Sequence, residues 1–208
     1  MHRPESLQRQ RAWESKYHSG ETGWDRGGVS PALAGWLQQG AVPQGRVLVP
    51  GCGSGHEVLA LTRAGHYVTA VDIAAPPVMQ LMGELTGQGL HAKVVQADLL
   101  NWTPAEPFDA IYEQTCLCAL DPELWPAYAE RLAGWLLPGG SLFALFMQTG
   151  REGGPPHHCE LSQMRELFPD HLWIWPDAPQ ARVDHPNGLH ELAHLLVRRG
   201  GEDDVQQD

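Results

Sequence analysis

The 208-residue chain lacks any apolar run approaching the roughly 18 residues of a bilayer-spanning helix, so no membrane crossing is expected. Its first residues, MHRPESLQRQRAWESKY, are polar and contain no apolar signal core. Secretion is therefore not expected, and a cytoplasmic location is. Cysteine is scarce. Cys52, Cys116, Cys118 and Cys159 fit neither zinc-ribbon nor disulfide-framework spacing, which predicts reduced thiols. Positive charge is also short. Fourteen lysines and arginines against 25 acids leave a net charge of −11, which speaks against DNA or RNA as a partner. There is no internal repeat and no low-complexity linker. With 42% apolar and 19% charged residues, the composition suits one globular domain, expected over 1–199, with 200–208 (GGEDDVQQD) as a polar tail.

What the chain does have is concentrated in VLVPGCGSGH, residues 47–56. A β-branched apolar run stops at Pro50, glycines follow at 51, 53 and 55, and a helical pattern begins at Glu57. A strand that enters a helix through alternate glycines lets a ligand lie against bare backbone near a helix N-terminus. The dinucleotide fingerprint needs a third glycine at 56, which is His56. The G-x-G-x-G form points to S-adenosylmethionine instead. The next strand ends in Asp72-Ile73, and a carboxylate there can accept from ribose hydroxyls. Read alone, Asp72 is more simply a cap for the following helix. A third strand ends in Asp98-Leu99, where an acid and a backbone N–H suit an adenine edge. Three strand ends in this order make a nucleoside site.

The pattern predicts helices near 5–18, 31–39, 55–64, 75–87, 123–136 and 161–168. Strands are predicted at 46–50, 66–72, 91–97, 107–113, 139–147, 171–175 and 190–198. This alternation implies an α/β fold with a mostly parallel, seven-stranded sheet covered by helices on both faces. Leu137-Pro138-Gly139-Gly140 reads as a turn before the apolar run SLFALFM, a buried central strand. The last two strands, with no helix between them, are expected to pair antiparallel at one edge.

The segments Trp13-Glu14, Tyr17, Thr22-Gly23-Trp24-Asp25, Ser30-Pro31, LVPGCGSGHE, VDIA, PFDAIYEQTCLCALDPELWPAYA, LLPGG and GGPP together resemble the thiopurine methyltransferase superfamily. The likeness is to its thiol and halide (thiocyanate) methyltransferase branch, and it runs from about residue 12 to about residue 170. The resemblance implies a Rossmann-like class I methyltransferase using S-adenosylmethionine. It implies that Trp13, Tyr17 and Trp24 form an N-terminal lid (1–30) over the cofactor. Gly51 and Gly53 would lie at its methionine portion, Asp72 and Ile73 at the ribose, Asp98 and Leu99 at the adenine. Gln114 would sit near the transferred methyl. Phe146 falls where plant halide enzymes carry a tyrosine that helps hold the acceptor, and this departure weighs against halide recognition.

Physical chemistry supports these roles separately. Aromatic faces attract a cation by roughly 0.5–2 kcal/mol. Trp13 and Tyr17 are four residues apart on one helical face, although such a stripe can also serve packing alone. Trp102, Trp125, Trp135, Trp173 and Trp175 read as structural. A sulfonium is already a good leaving group, so alignment and desolvation outweigh acid catalysis. No residue is assigned as catalytic. His157 and His158, after GGPP, are the candidates for a base, with His157 placed at the substrate. Cys116, Cys118 and Cys159 with these histidines offer soft metal ligands, but the apolar CLCAL segment favours inert thiols, and no metal is expected. The expected activity is methyl transfer to a small soft nucleophile, most simply a thiol or thiocyanate. The alternatives are a halide, thiopurine or tellurium or selenium anion acceptor, or a non-catalytic S-adenosylmethionine-binding protein.

Overall fold

In the computed structural model, which describes residues 4–185 and 187–200, two helices precede the first strand. They are α1 (Pro4–Ser19) and α2 (Pro31–Gln38), followed by β1 (Arg46–Pro50), α3 (His56–Arg63) and β2 (Tyr67–Asp72). Next come α4 (Ala75–Gly87), β3 (Lys93–Gln96), β4 (Phe108–Gln114), α5 (Trp125–Trp135) and β5 (Leu136–Gln148). The chain ends with α6 (Leu161–Leu167), β6 (Trp173–Ile174), β7 (Ala181–Asp184) and β8 (His190–Arg198). Among the described residues, no helix is long and apolar enough to cross a membrane.

Strands β1 to β5 run parallel, and β8 lies antiparallel to β5 from Ser141↔Val197 to Gln148↔His190. The continuous strand order is β3-β2-β1-β4-β5-β8-β6. Its seven strands are the seven the hydrophobic pattern predicts. An eighth, β7, pairs antiparallel with the first half of β8 and was not anticipated. Its four residues are too few for periodicity to stand out, but the Asn187-Gly188 pair between alternating segments is a hairpin signal.

Successive strand residues serve opposite faces, as a pleat requires. Val47 and Val49 of β1 join Leu33 and Trp36 of α2 and Val58 and Leu61 of α3. Leu48, between them, joins Tyr128 and Leu132 of α5 and Phe168 on the other face. A sheet buried on both faces has near-continuous apolar strands, which is what VLV and FALF are. The predicted turn at Leu137–Gly140 lies inside β5 instead of before it. The β4–β5 register passes from Phe108↔Leu136 to Ala110↔Ser141, so LPG is looped out as an exposed irregularity.

Gly55 shows why the third glycine of the motif is required. It caps α3 with φ 75°, and a Cβ there would lie 2.4 Å from Cδ1 of the fully buried Leu81. Positive φ and lack of space both exclude a side chain. Gly55→Ala is expected to destabilise the fold by about 2–4 kcal/mol, read as a lower urea midpoint. An unchanged midpoint would show that α3 and α4 are free to move apart.

Candidate active site

Because β1 to β5 are parallel, their C-terminal ends share one rim of the sheet, and antiparallel β8 brings its first residues to the same rim. A cavity of about 300 Å³ opens there. At the β1–β3 side it is lined by Gly51, Asp72, Ile73, Asp98 and Leu99. Arg9, Trp13, Tyr17 and Trp24 of the N-terminal segment cover it, and Met147, Pro155, His185, Asn187 and Leu189 form its other end.

Asp72 is 7% exposed and organises the nucleoside side. Its Oδ2 accepts from the N–H of Gly53 at 3.0 Å, and its Oδ1 accepts from Ala74 N–H at 2.9 Å. The residue therefore closes the turn that leads into α4 and anchors the glycine loop at once. Burial pushes its carboxyl above the usual range, against these bonds, which favour the charged form. At Asp98 the balance is reversed. Burial alone would raise it, but Arg9 at 2.6 Å and the N–H of Leu100 at 3.0 Å hold it below the ordinary value. Asn101 donates to the same oxygen as Arg9, at 2.9 Å.

The three predicted aromatics come together. Trp24 meets Trp13 edge-on at 5.3 Å and Tyr17 edge-on at 5.5 Å. The Tyr17 hydroxyl sits over the glycine loop, 3.3 Å from where a Cβ on Gly53 would be. Burial, with Asp72 nearby, raises the phenol well above its ordinary value. Two adjacent charges fasten the segment. Asp25 accepts from the Ser54 hydroxyl and from Gly27 N–H at 2.7 Å, and lies 3.0 Å from His56 Nε2. Burial would raise Asp25, but these bonds win and its carboxyl lies below the ordinary value. Arg26 reaches the opposite side and donates to the Asp184 carbonyl at 2.8 Å.

The end of β4 supplies the floor. Thr115 has φ 60°, uncommon for a β-branched residue and worth on the order of 1–3 kcal/mol of strain. The turn is held by Glu113, 2% exposed, which accepts from Leu117 N–H at 2.6 Å. Burial pushes the Glu113 carboxyl up to about 8, against that bond. Trp125, expected to be structural, donates from Nε1 to the Leu117 carbonyl at 2.8 Å and clamps the same turn. Cys116 and Cys118 line the cavity, with thiols pushed well above their ordinary range by burial.

Five predicted residues lie elsewhere. Gly53 and Gln114 line a small recess of about 60 Å³ beside the main cavity. Gln114 is turned inward there and donates from Nε2 to Glu191 at 2.7 Å. Phe146, expected at the acceptor, is wholly buried; strand alternation sends it into the core, where it stacks on Trp175 at 5.7 Å. Met147 is the β5 residue that lines the cavity, so the argument from Phe146 against halides has no basis in this pocket. His157 and His158 face a separate surface groove. His158 Nδ1 accepts from Thr149 N–H at 3.0 Å, and the His157 ring lies edge-on to Trp125 at 6.4 Å. Sequence reading missed His185, Asn187 and Leu189, all carried by the unpredicted β7–β8 hairpin.

The residues present suit S-adenosylmethionine. Gly51 leaves a cradle that a Cβ would fill, 2.9 Å from Cys116, and two carboxylates stand at successive strand ends beneath aromatic faces. The fold and this rim define a class I S-adenosylmethionine-dependent methyltransferase. Sequence comparison adds the family: the thiopurine S-methyltransferase profile matches residues 8–175, and the chain belongs to that family. It is 34% identical over 171 residues to the probable thiol methyltransferase 2 of Arabidopsis thaliana, covering 81% of this chain and 76% of that protein. It is 33% identical over 169 residues to thiocyanate methyltransferase 1 of Brassica oleracea, covering 79% and 74%. Among solved structures, the fold resembles 1,6-didemethyltoxoflavin-N1-methyltransferase of Burkholderia thailandensis, crystallised with S-adenosylhomocysteine. The TM-score is 0.76 at 23% identity, covering 96% of this chain and 92% of that one.

Glu113 gives a pH test of the cavity floor. From its ordinary 4.5 up to about 8, the folded protein keeps a proton that the unfolded chain has released. Stability therefore falls as pH rises through that window. Glu113→Gln should remove this contribution, which is up to about 1.4 kcal/mol per pH unit at its steepest. Denaturant unfolding of both proteins at several pH values would measure it, and parallel profiles would mean Glu113 is ionised throughout.

Proposed function

We propose that this enzyme transfers a methyl group from S-adenosylmethionine to a small sulfur nucleophile, a thiol or thiocyanate. The observation that carries the reading is the character of the cavity beyond Gly51. Its walls there include Cys118, Leu120, Met147, Pro155, Pro156 and Leu189 beside the polar His185 and Asn187, a mostly apolar and polarisable surface suited to a soft acceptor with a carbon body. Burying such a body gains roughly 25 cal/mol per Å². The relatives named for thiol and thiocyanate transfer support the same choice.

In this reading Asp72 and Ile73 hold the ribose, Asp98 and Leu99 the adenine, and Gly51 and Gly53 the methionine portion, while Gln114, turned inward, donates to Glu191. Trp13, Tyr17 and Trp24 act as a lid within residues 1–30, closing over the sulfonium of a single 1–199 domain. The acceptor attacks in line, and most of the rate comes from alignment in a water-excluded site. A cytoplasmic location belongs to the same proposal.

Release of S-adenosylhomocysteine with thiols, thiocyanate, halides, thiopurines and chalcogen oxyanions tests the acceptor. Turnover confined to halides or thiopurines would overturn the sulfur reading. For the cofactor site, Asp72→Asn keeps an oxygen for the Ala74 N–H but loses the charge. It is expected to weaken S-adenosylhomocysteine about 10- to 100-fold by calorimetry, the worth of a charge-assisted hydrogen bond. Unchanged affinity would reduce Asp72 to a structural cap.

A further inference from the structure

We infer that His185 takes the proton from a thiol acceptor and that Glu191 positions it to do so; the inference rests on the sulfur-acceptor reading above. His185 is 7% exposed and lines the cavity beside Leu189, on the hairpin that joins β7 to β8. The strand order separates it from the nucleoside end: β3, β2 and β1 lie to one side of β4, and β5 and β8 to the other. The imidazole thus stands at the end of the cavity left for the acceptor. The hairpin fixes its backbone, with His185 N–H donating to the Leu189 carbonyl at 2.8 Å and Gly188 N–H donating to the His185 carbonyl at 3.0 Å.

Its electrostatic setting is that of a base. Nε2 lies 3.0 Å from Oε2 of Glu191 and 3.5 Å from Nη1 of Arg26. The shorter contact selects the tautomer: Nε2 carries hydrogen and donates to the carboxylate, which leaves the lone pair on Nδ1. Glu191 is wholly buried, and its Oε2 also accepts from Gln114, while Arg26 stands 3.9 Å away. Among the described residues its Oε1 has no partner. A carboxylate so buried and only half satisfied is costly to keep for packing alone, and at 3.0 Å it fixes the orientation of the imidazole beside it. The charges facing the pair are Arg26 from the N-terminal segment, which opposes the imidazolium, and Glu57 and Glu113, which interact with Glu191 from α3 and β4. Of the other histidines, His56 is engaged with Asp25, and His158 with Thr149 and Glu160.

A free thiol with pKa near ~8.5 is only a few per cent ionised at neutral pH, whereas thiocyanate is an anion with no proton to lose. A positioned base typically contributes 10²- to 10⁴-fold, and only to the first kind of acceptor. In the step, the S–H proton passes to Nδ1 of His185 while the sulfur lone pair forms the new bond to the methyl carbon. The old C–S⁺ bond of the co-substrate breaks, and its electron pair stays on the thioether of S-adenosylhomocysteine. The imidazolium then releases its proton to water.

The test compares the wild type, His185→Gln and Glu191→Gln with an alkyl thiol and with thiocyanate at saturating S-adenosylmethionine. His185→Gln should lower kcat/KM for the thiol about 10²-fold and the thiol-to-thiocyanate ratio by at least about tenfold. The loss should shrink as pH rises towards the thiol's own pKa. Glu191→Gln, which keeps an acceptor for Nε2–H but not the charge, should show the same selectivity with a smaller loss. Independently of turnover, the imidazole NMR resonance absent from His185→Gln should shift when the thiol is added to the wild-type complex with S-adenosylhomocysteine. Equal losses on both acceptors, an unchanged pH profile or an unmoved resonance would overturn the assignment while leaving sulfur transfer standing. A wild type that methylates neither acceptor would overturn the function itself.

Discussion

The buried carboxylate of Asp72 is the contact on which the cavity's shape depends. A carboxylate at 7% exposure must be met by donors, and those that meet it include the backbone N–H groups of Gly53 and Ala74. Meeting them fixes two things together. The glycine loop is drawn down against the end of β2, and α4 starts at Ala75. With the loop in that position, Gly51 abuts Cys116 and Gly55 abuts Leu81, so neither can carry a side chain. The Tyr17 hydroxyl then finds its place above Gly53. Remove the carboxylate, and the loop loses its reference point on the sheet.

The same device recurs around the rim. Glu113 holds the turn at Leu117, Glu57 accepts from Ser30 N–H at 3.0 Å, Asp25 ties the aromatic segment to Ser54, and Asp98 ties α1 through Arg9. Each acid belongs to one element and fastens a different loop. A protein with a net charge of −11 thus spends much of its acidity on architecture, since carboxylates accept backbone N–H groups more strongly than neutral oxygens do. Glu191 stands apart because, among the described residues, one of its oxygens has no donor and its partners include a histidine at the cavity wall. That difference separates a group kept for its charge from those kept for a turn.

Two features bear on how the two substrates meet. The Asp25 and Arg26 contacts run in opposite directions from one short segment, the first to the glycine loop and the second to Asp184 and Glu191. Any displacement of the aromatic segment must therefore loosen both ends of the cavity. Asp25 and Arg26, adjacent in the chain, thus link the glycine loop to the surroundings of His185.

The sequence by itself determined the order of strands and helices, the glycine loop, the acids that close β2 and β3, and the N-terminal aromatics. These are local features: a loop's glycines, a strand's last residue and a helical face are set by neighbours a few positions away. Its apolar runs also marked seven strands. What only tertiary structure decided is which side chains reach the cavity. Phe146 and Met147 are neighbours of similar hydrophobicity, and the pleat of β5 together with α5 and α6 sends one into the core and the other to the site. His157 and His158 look available in sequence because the partners that engage them, Cys118, Thr149 and Trp125, come from other elements. His185 and Glu191 look ordinary for the converse reason. Their meaning arises when a short hairpin folds back and an antiparallel strand returns its first residues to the rim where the parallel strands end, a long-range pairing that no local pattern encodes.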